Sequence, residues 1–180
     1  MLQSLISILS RLPIRVLYWV AEWMLYPLMY YVVRYRRKVV DKNLLIAFPQ
    51  HTSSERNRIA RDFYHQFCDT IVEIIYGYRC SEEEMRERVV FENTEEVNRL
   101  VEQTGGGIFM LAHMGNWEWM ASIQQWLNSG ITELNVYRTL KNQRMDQLML
   151  AIRAKRGGVC IEKQRILREM VRYRAEKRTI

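Results

Sequence analysis

A chain of 180 residues, 48% of them hydrophobic, has room for one ordinary domain with its own core, which excludes a disordered tail or a disulfide-stapled mini-protein. The net charge of +7 is uneven: residues 136–178 hold thirteen basic and four acidic side chains, a local +9 that leaves the rest near −2. Such a block draws an anionic partner (phosphorylated lipid, an acidic carrier protein or nucleic acid), or it is simply a solvated pair of helix faces.

The first element in chain order is residues 16–33, an apolar run dense in Tyr and Trp. Eighteen helical residues span roughly 27 Å, close to the hydrocarbon thickness of a bilayer. Arg34, Arg36, Arg37 and Lys38 follow at once and favour a cytoplasmic C-terminal side. Glu22 and Pro27 oppose a span, so a spanning helix, an interfacial helix and a hydrophobic packing arm all stay open. No small-residue cleavage site follows, which argues against a removed signal peptide. Residues 1–38 thus read as a membrane anchor with its basic flank, and 39–180 as the main domain.

Residues 40–50 read as a connector closed by Pro49. Thr52-Ser-Ser-Glu55 matches a capping box and predicts a helix over 53–78. Ile59, Phe63, Phe67, Ile71, Ile74 and Tyr78 recur at three- and four-residue steps and predict its buried face. A charged helix over 81–88, a short strand at 89–91 and a helix over 94–103 follow, the last stopped by Gly105-Gly-Gly107. Residues 108–112 predict a buried strand, and a helix follows to about Asn128, ended by Gly130. Strands at 134–137 and 159–161 alternate with helices over 142–156 and 165–177. Alternation of this kind predicts an α/β fold with a mostly parallel sheet flanked by helices. Such sheets ordinarily continue past this point, so the chain reads as the N-terminal portion of a larger domain.

The most telling stretch is His113-Met-Gly-Asn-Trp-Glu118, at the predicted strand-to-helix junction. A histidine with a carboxylate to orient it can take a proton from an alcohol. Within one helix, residues five apart point about 140° away from each other. A working pair therefore needs His113 on the turn, with Gly115 giving flexibility, Asn116 as N-cap and Glu118 in the first helical turn. His51 and His65 lie far upstream, and the odd set Cys68, Cys80 and Cys160 has no metal-type spacing. No metal or other cofactor is expected, and the cysteines read as reduced thiols of a cytoplasmic domain. The three glycines before the strand are no nucleotide fingerprint, which would follow a strand. Nucleic-acid binding has only charge in its favour, with no groove-reading motif.

Four blocks occur in an order that resembles the late acyltransferases of bacterial lipid A biosynthesis, the lauroyl/myristoyl group. They are Asn43-Leu-Leu-Ile-Ala-Phe-Pro49 after the aromatic N-terminal helix, the capped helix that begins Ser53-Ser-Glu-Arg56, Gly107-Ile-Phe-Met-Leu-Ala-His-Met-Gly-Asn-Trp-Glu118, and Tyr137-Arg138 with Lys141-Asn142 and Ile152-Arg153. The resemblance implies a glycerolipid-acyltransferase-like sheet with an N-terminal membrane helix, on the cytoplasmic side of the inner membrane. It implies acyl carrier protein as thioester donor, a hydroxyl of a phosphorylated glycolipid as acceptor, and membrane lipids as neighbours. His113 would be the general base and Glu118 its partner. Arg138, Lys141 and Arg153 would meet anionic groups of the substrates, beside Asn116 and Trp117 as further substrate contacts. Trp117, Trp119 and Met120 read first as ordinary core, with the wall of an acyl-chain pocket as the alternative. The family's chains carry further sheet elements beyond the blocks seen here, so a non-catalytic membrane-binding homologue is the competing expectation.

Overall fold

The computed structural model describes residues 2–176 and 178–179. The architecture is mixed α/β and mostly helical, with two short pairs of parallel strands. Two compact units divide it, Ser4–Tyr76 and Gly77–Ile180.

Helices α1 (Leu2–Leu9) and α2 (Ile14–Val20) open the chain, and α2 runs on through π-helical turns at Ala21–Leu25 and Leu28–Val32. The predicted apolar helix is therefore present but loosened. Pro27 has no N–H to give, and its ring crowds the carbonyl one turn back; wider i→i+5 turns on both sides accommodate it. Ile14, Leu17, Ala21 and Tyr26 are buried, whereas Trp19, Trp23 and Val32 are 58%, 67% and 73% exposed. The polar residues of the arm have partners. Tyr18 Oη donates to Glu73 at 2.6 Å, and Glu22 lies 2.8 Å from the His65 ring. Among the described residues no single helix is long and apolar enough to cross a membrane. Ile14–Val32 and the next helix, α3 (Arg37–Ala47), meet length and composition only as a pair bent by 86°.

Helix α3 replaces the connector expected there. No glycine or proline interrupts it, Arg37 and Asp41 pair at 2.9 Å one turn apart, and it stops just before Phe48, whose backbone is held out of the helical region by Pro49. Helix α4 (Ser53–Gly77) starts at the expected capping box: Thr52 N–H donates to Glu55 at 2.7 Å, and Glu55 N–H donates to Thr52 Oγ1 at 3.3 Å. Its buried face is rotated from the predicted one. Ala60, Tyr64, Cys68, Val72 and Tyr76 are buried, while Phe63 is 45% exposed. Small Ala60 and Cys68 allow close approach, and the Tyr64 hydroxyl finds the Tyr35 carbonyl at 2.6 Å. A large apolar residue without a polar handle had no such advantage here.

The second unit begins with α5 (Glu82–Arg88), capped reciprocally by Ser81 and Glu84, and α6 (Thr94–Thr104), ended by Gly105 at φ +77°. Two predicted strands are not strands. Residues 89–91 are irregular, with Phe91 edge-on to Trp126 at 5.0 Å. Residues 108–112 are irregular and exposed, Met110 by 93%. An apolar run becomes a strand only where a neighbour supplies a ladder, and among the described residues neither segment has one.

Strands β1 (Ile131–Thr132) and β2 (Leu134–Tyr137) precede α7 (Gln143–Ala154), β3 (Val159–Glu162), a 3₁₀ turn at Lys163–Arg165, α8 (Ile166–Glu176) and β4 (Arg178–Thr179). Pairs β2–β3 and β1–β4 are both parallel. Parallel pairing needs a crossover, and α7 provides it for β2–β3, started by Asn142 Oδ1 over the N–H groups of Arg144 and Met145. Leu148 and Ile152 of α7 are buried, as are Ile123, Ile131 and Ile161. Buried Arg156 donates to the carbonyls of Gly77 and Cys80 at 3.0 and 3.2 Å, satisfying the end of α4 and the turn after it.

Candidate functional site

Gly115, at φ +55°, turns the chain between His113 and a helix over Trp117–Trp126 with Asn116 at its N-cap position. That helix is 3₁₀ rather than α. With three residues per turn, positions i and i+3 stack in one row. Trp117, Met120 and Ile123 form one such row, Glu118 and Ala121 the next, and both face a cavity of about 330 Å³. Phe109, Leu111, His113, Glu133, Asn135 and Arg153 also line it. The cavity is apolar over most of its wall. Trp117 and Met120 face it; Trp119 does not line it, and its ring lies 3.4 Å from where a Cβ on Gly77 would stand.

His113 is exposed at this cavity, and its ring rests against Trp117 at 5.1 Å between centroids, inclined by 50°. Among the described residues the His113 ring makes no hydrogen bond. Glu118 is engaged elsewhere. Arg153 Nε donates to Glu118 Oε2 at 2.7 Å, and Arg153 Nη2 donates to Oε1 at 2.6 Å. Trp117 Nε1 adds a third bond to Oε1 at 3.2 Å. The Glu118 side chain is only 7% exposed and that of Arg153 22%, so this is a bidentate, largely buried pair. Glu118 in turn holds the Arg153 guanidinium above its ordinary pKa. Arg153, expected at the substrate's anionic groups, is here the partner of Glu118. The three residues share one cavity, and in this arrangement the carboxylate is positioned by the arginine rather than by the histidine.

Arg138 is the first residue past the C-terminal end of β2, where open α/β sheets bind ligands. Arg138 and Lys141 are exposed, and among the described residues neither forms an ion pair. Neither lines the cavity that His113 faces. Asn116 is half-buried and stays at the turn, while Trp117 forms part of the wall. Among the described residues no three His, Cys, Asp or Glu side chains are placed to hold a metal ion.

Glu133 and Asn135 were passed over in the sequence. Glu133 is 7% exposed, and neither its Oε2 nor Asn135 Nδ2 has a hydrogen bond of good geometry. The signal was there: two polar residues two apart at a strand place both on one face. Burial pushes the Glu133 carboxyl from 4.5 up to about 8, with the Asn135 amide offsetting a part. The folded form therefore keeps its proton up to about pH 8, while the unfolded chain loses it near 4.5. A raised folded value favours folding fully below 4.5, and the contribution is lost as pH rises towards 8. Glu133→Gln, which cannot ionise, is expected to flatten that loss. At about 1.4 kcal/mol per pKa unit it should stabilise the fold by on the order of 4 kcal/mol at pH 8 and have little effect at pH 4. Urea unfolding at the two pH values measures this, and parallel pH dependences for both proteins would show an ionised, solvated Glu133.

A histidine and a buried carboxylate–guanidinium pair line one mostly apolar cavity on an α/β framework, a candidate site for a ligand with an apolar body. Compared with known families, the chain belongs to the bacterial lipid A biosynthesis acyltransferases, whose family model matches residues 4–180. The family is one of acyltransferases and implies an acyl donor and a lipid A precursor as acceptor. No curated relative matches the chain.

Proposed function

We propose that this protein moves a fatty acyl chain from an acyl carrier protein thioester to a hydroxyl of a phosphorylated glycolipid, with His113 as general base. The observation that carries this is the cavity of about 330 Å³ that joins His113 to a mostly apolar wall, in a chain of this family. The imidazole takes the proton of the acceptor hydroxyl as its oxygen attacks the thioester carbonyl. The tetrahedral intermediate then collapses, the C–S bond breaks, and the proton passes to the departing thiolate. Backbone N–H groups at the start of the Trp117 helix serve the developing oxyanion. Glu118, fixed by Arg153, lines the same cavity as His113 and gives it a fixed polar edge. Exposed Arg138 and Lys141 attract the acceptor phosphate and the acidic carrier. The exposed Trp19, Trp23 and Val32 face of the N-terminal arm, followed by Arg34 and Arg36, supports contact with an anionic bilayer, on the cytoplasmic side of the inner membrane.

The test is transfer of a radiolabelled dodecanoyl group from its carrier protein thioester to a phosphorylated diglucosamine lipid, with the dephosphorylated lipid in parallel. Transfer is expected to the phosphorylated acceptor, with a KM at least tenfold lower than for the other. Arg138→Ala should reduce that discrimination without abolishing turnover. Absence of transfer to either acceptor, under conditions where the protein is folded, overturns the proposal.

A further inference from the structure

Another concavity, of about 500 Å³, lies within the first unit, between the N-terminal arm and the start of α3. Arg34, Arg36, Arg37, Lys38 and Val39 line it, and among the described residues no carboxylate does. Arg37 is committed within the fold. Its Nε donates to Asp41 Oδ1 at 2.9 Å, its Nη2 donates to Asn57 Oδ1 at 2.9 Å, and its guanidinium lies 4.8 Å from the centre of the Tyr30 ring. Arg34, Arg36 and Lys38 are exposed, and among the described residues none of them forms an ion pair. Alone, this arrangement is unfavourable in three ways. The cations repel one another. Arg36, Arg37 and Lys38 crowd the positive end of the α3 dipole, where negative charge is favoured. Arg34 and Arg36 both stand at φ +52°, a left-handed conformation that strains any residue with a Cβ. An anion seated in the concavity offsets the first two, and strain of the third kind clusters at ligand clamps.

We infer that residues 34–39 form a headgroup site for a single membrane lipid ending in a phosphate monoester, so that the protein favours such lipids over other anionic ones. The inference rests on the bilayer contact proposed for the arm and does not depend on acyl transfer. What adjoins the concavity sets the source of the phosphate. Tyr31, Val32 and Val33, the three residues before it, are 63%, 73% and 54% exposed. An exposed apolar stretch that leads into a basic concavity suits a ligand whose anionic head is joined to hydrocarbon. A monoester suits it better than a diester. It carries close to two charges and three terminal oxygens, enough for more than one guanidinium fork, where a diester offers one charge and two such oxygens. A merely basic surface would respond to the charge density of the bilayer alone, whichever headgroup supplied it.

The experiment is flotation of the full chain with phosphatidylcholine vesicles that carry either phosphatidic acid or phosphatidylglycerol, matched in surface charge by zeta potential. Binding to the phosphatidic acid vesicles should be about tenfold tighter. Arg34→Gln combined with Arg36→Gln should bring the two affinities together. Arg15→Gln, which removes an exposed arginine of the same arm outside the concavity, should leave the difference intact. Circular dichroism identifies any variant that fails to fold. Arg36→Gly then decides, since it relieves the left-handed strain, keeps the turn and should still lose most of the preference. Inorganic phosphate at the concentration of the lipid phosphate should not displace the chain; displacement means a site for free phosphate and overturns the lipid assignment. Equal binding to the two charge-matched vesicles, or a preference that survives the Gln pair or Arg36→Gly, overturns the inference and leaves the bilayer contact standing. Failure to float with any vesicle, neutral ones included, overturns the bilayer contact and the headgroup site with it.

Discussion

Replacing His113 with Ala should lower acyl transfer by about 10²–10⁴-fold, the usual worth of a positioned general base. The fold should be unaffected, because His113 is exposed and, among the described residues, its one ring neighbour is Trp117. The loss should fall on kcat rather than KM. The proton moves in the transition state, whereas the apolar wall that holds the chain does not include the imidazole's charge. Full transfer kinetics of both proteins test this. Activity within a few-fold of wild type would remove His113 from the base position.

Arg153→Met should be the most destabilising single change in the second unit. Among the described residues it leaves the Glu118 carboxylate, whose side chain is 7% exposed, with the Trp117 N–H at 3.2 Å as its one remaining hydrogen bond. Breaking a buried pair from one side typically costs about 3–5 kcal/mol, since the abandoned charge must be desolvated or neutralised. Arg153→Lys should recover part of this but not the two-pronged geometry. The companion Glu118→Gln should soften the effect of Arg153→Met. If the two act as a unit, the double variant will be far less destabilised than the sum of the singles. Chemical unfolding of all four proteins gives the coupling directly. Additive effects would mean that Arg153 serves an anion of the substrate and not Glu118. In that case its substitution should raise KM in a salt-dependent way instead of altering stability.

The helices with local signals stood out in the sequence. The Thr52–Glu55 box and the stop at Gly105 are decided by residues within a few positions of one another, so a linear reading finds them. Helix α3 was missed although its own signals favoured it: the Arg37–Asp41 pair is local, yet residues 40–50 read as a connector closed by Pro49. The turn before the Trp117 helix was legible for the same reason, since Gly115 sets it locally. The Trp and Met residues after it read first as core, and Trp117 and Met120 instead line the cavity.

Residue chemistry along the chain by itself determined the helical arm, most of the helix ends and the β2–α7–β3 unit. Tertiary structure alone decided which face of α4 is buried, because Ala60, Tyr64 and Cys68 compete with Phe63 on how closely a neighbour can approach, not on hydrophobicity. It alone decided that residues 108–112 are not a strand, since a ladder needs a second chain segment that periodicity cannot supply. It also assigned Arg153 to Glu118 across thirty-five positions, and set Glu133 and Asn135 against Gly158. Pairings of this range depend on where a crossover helix returns the chain, and no local spacing encodes that.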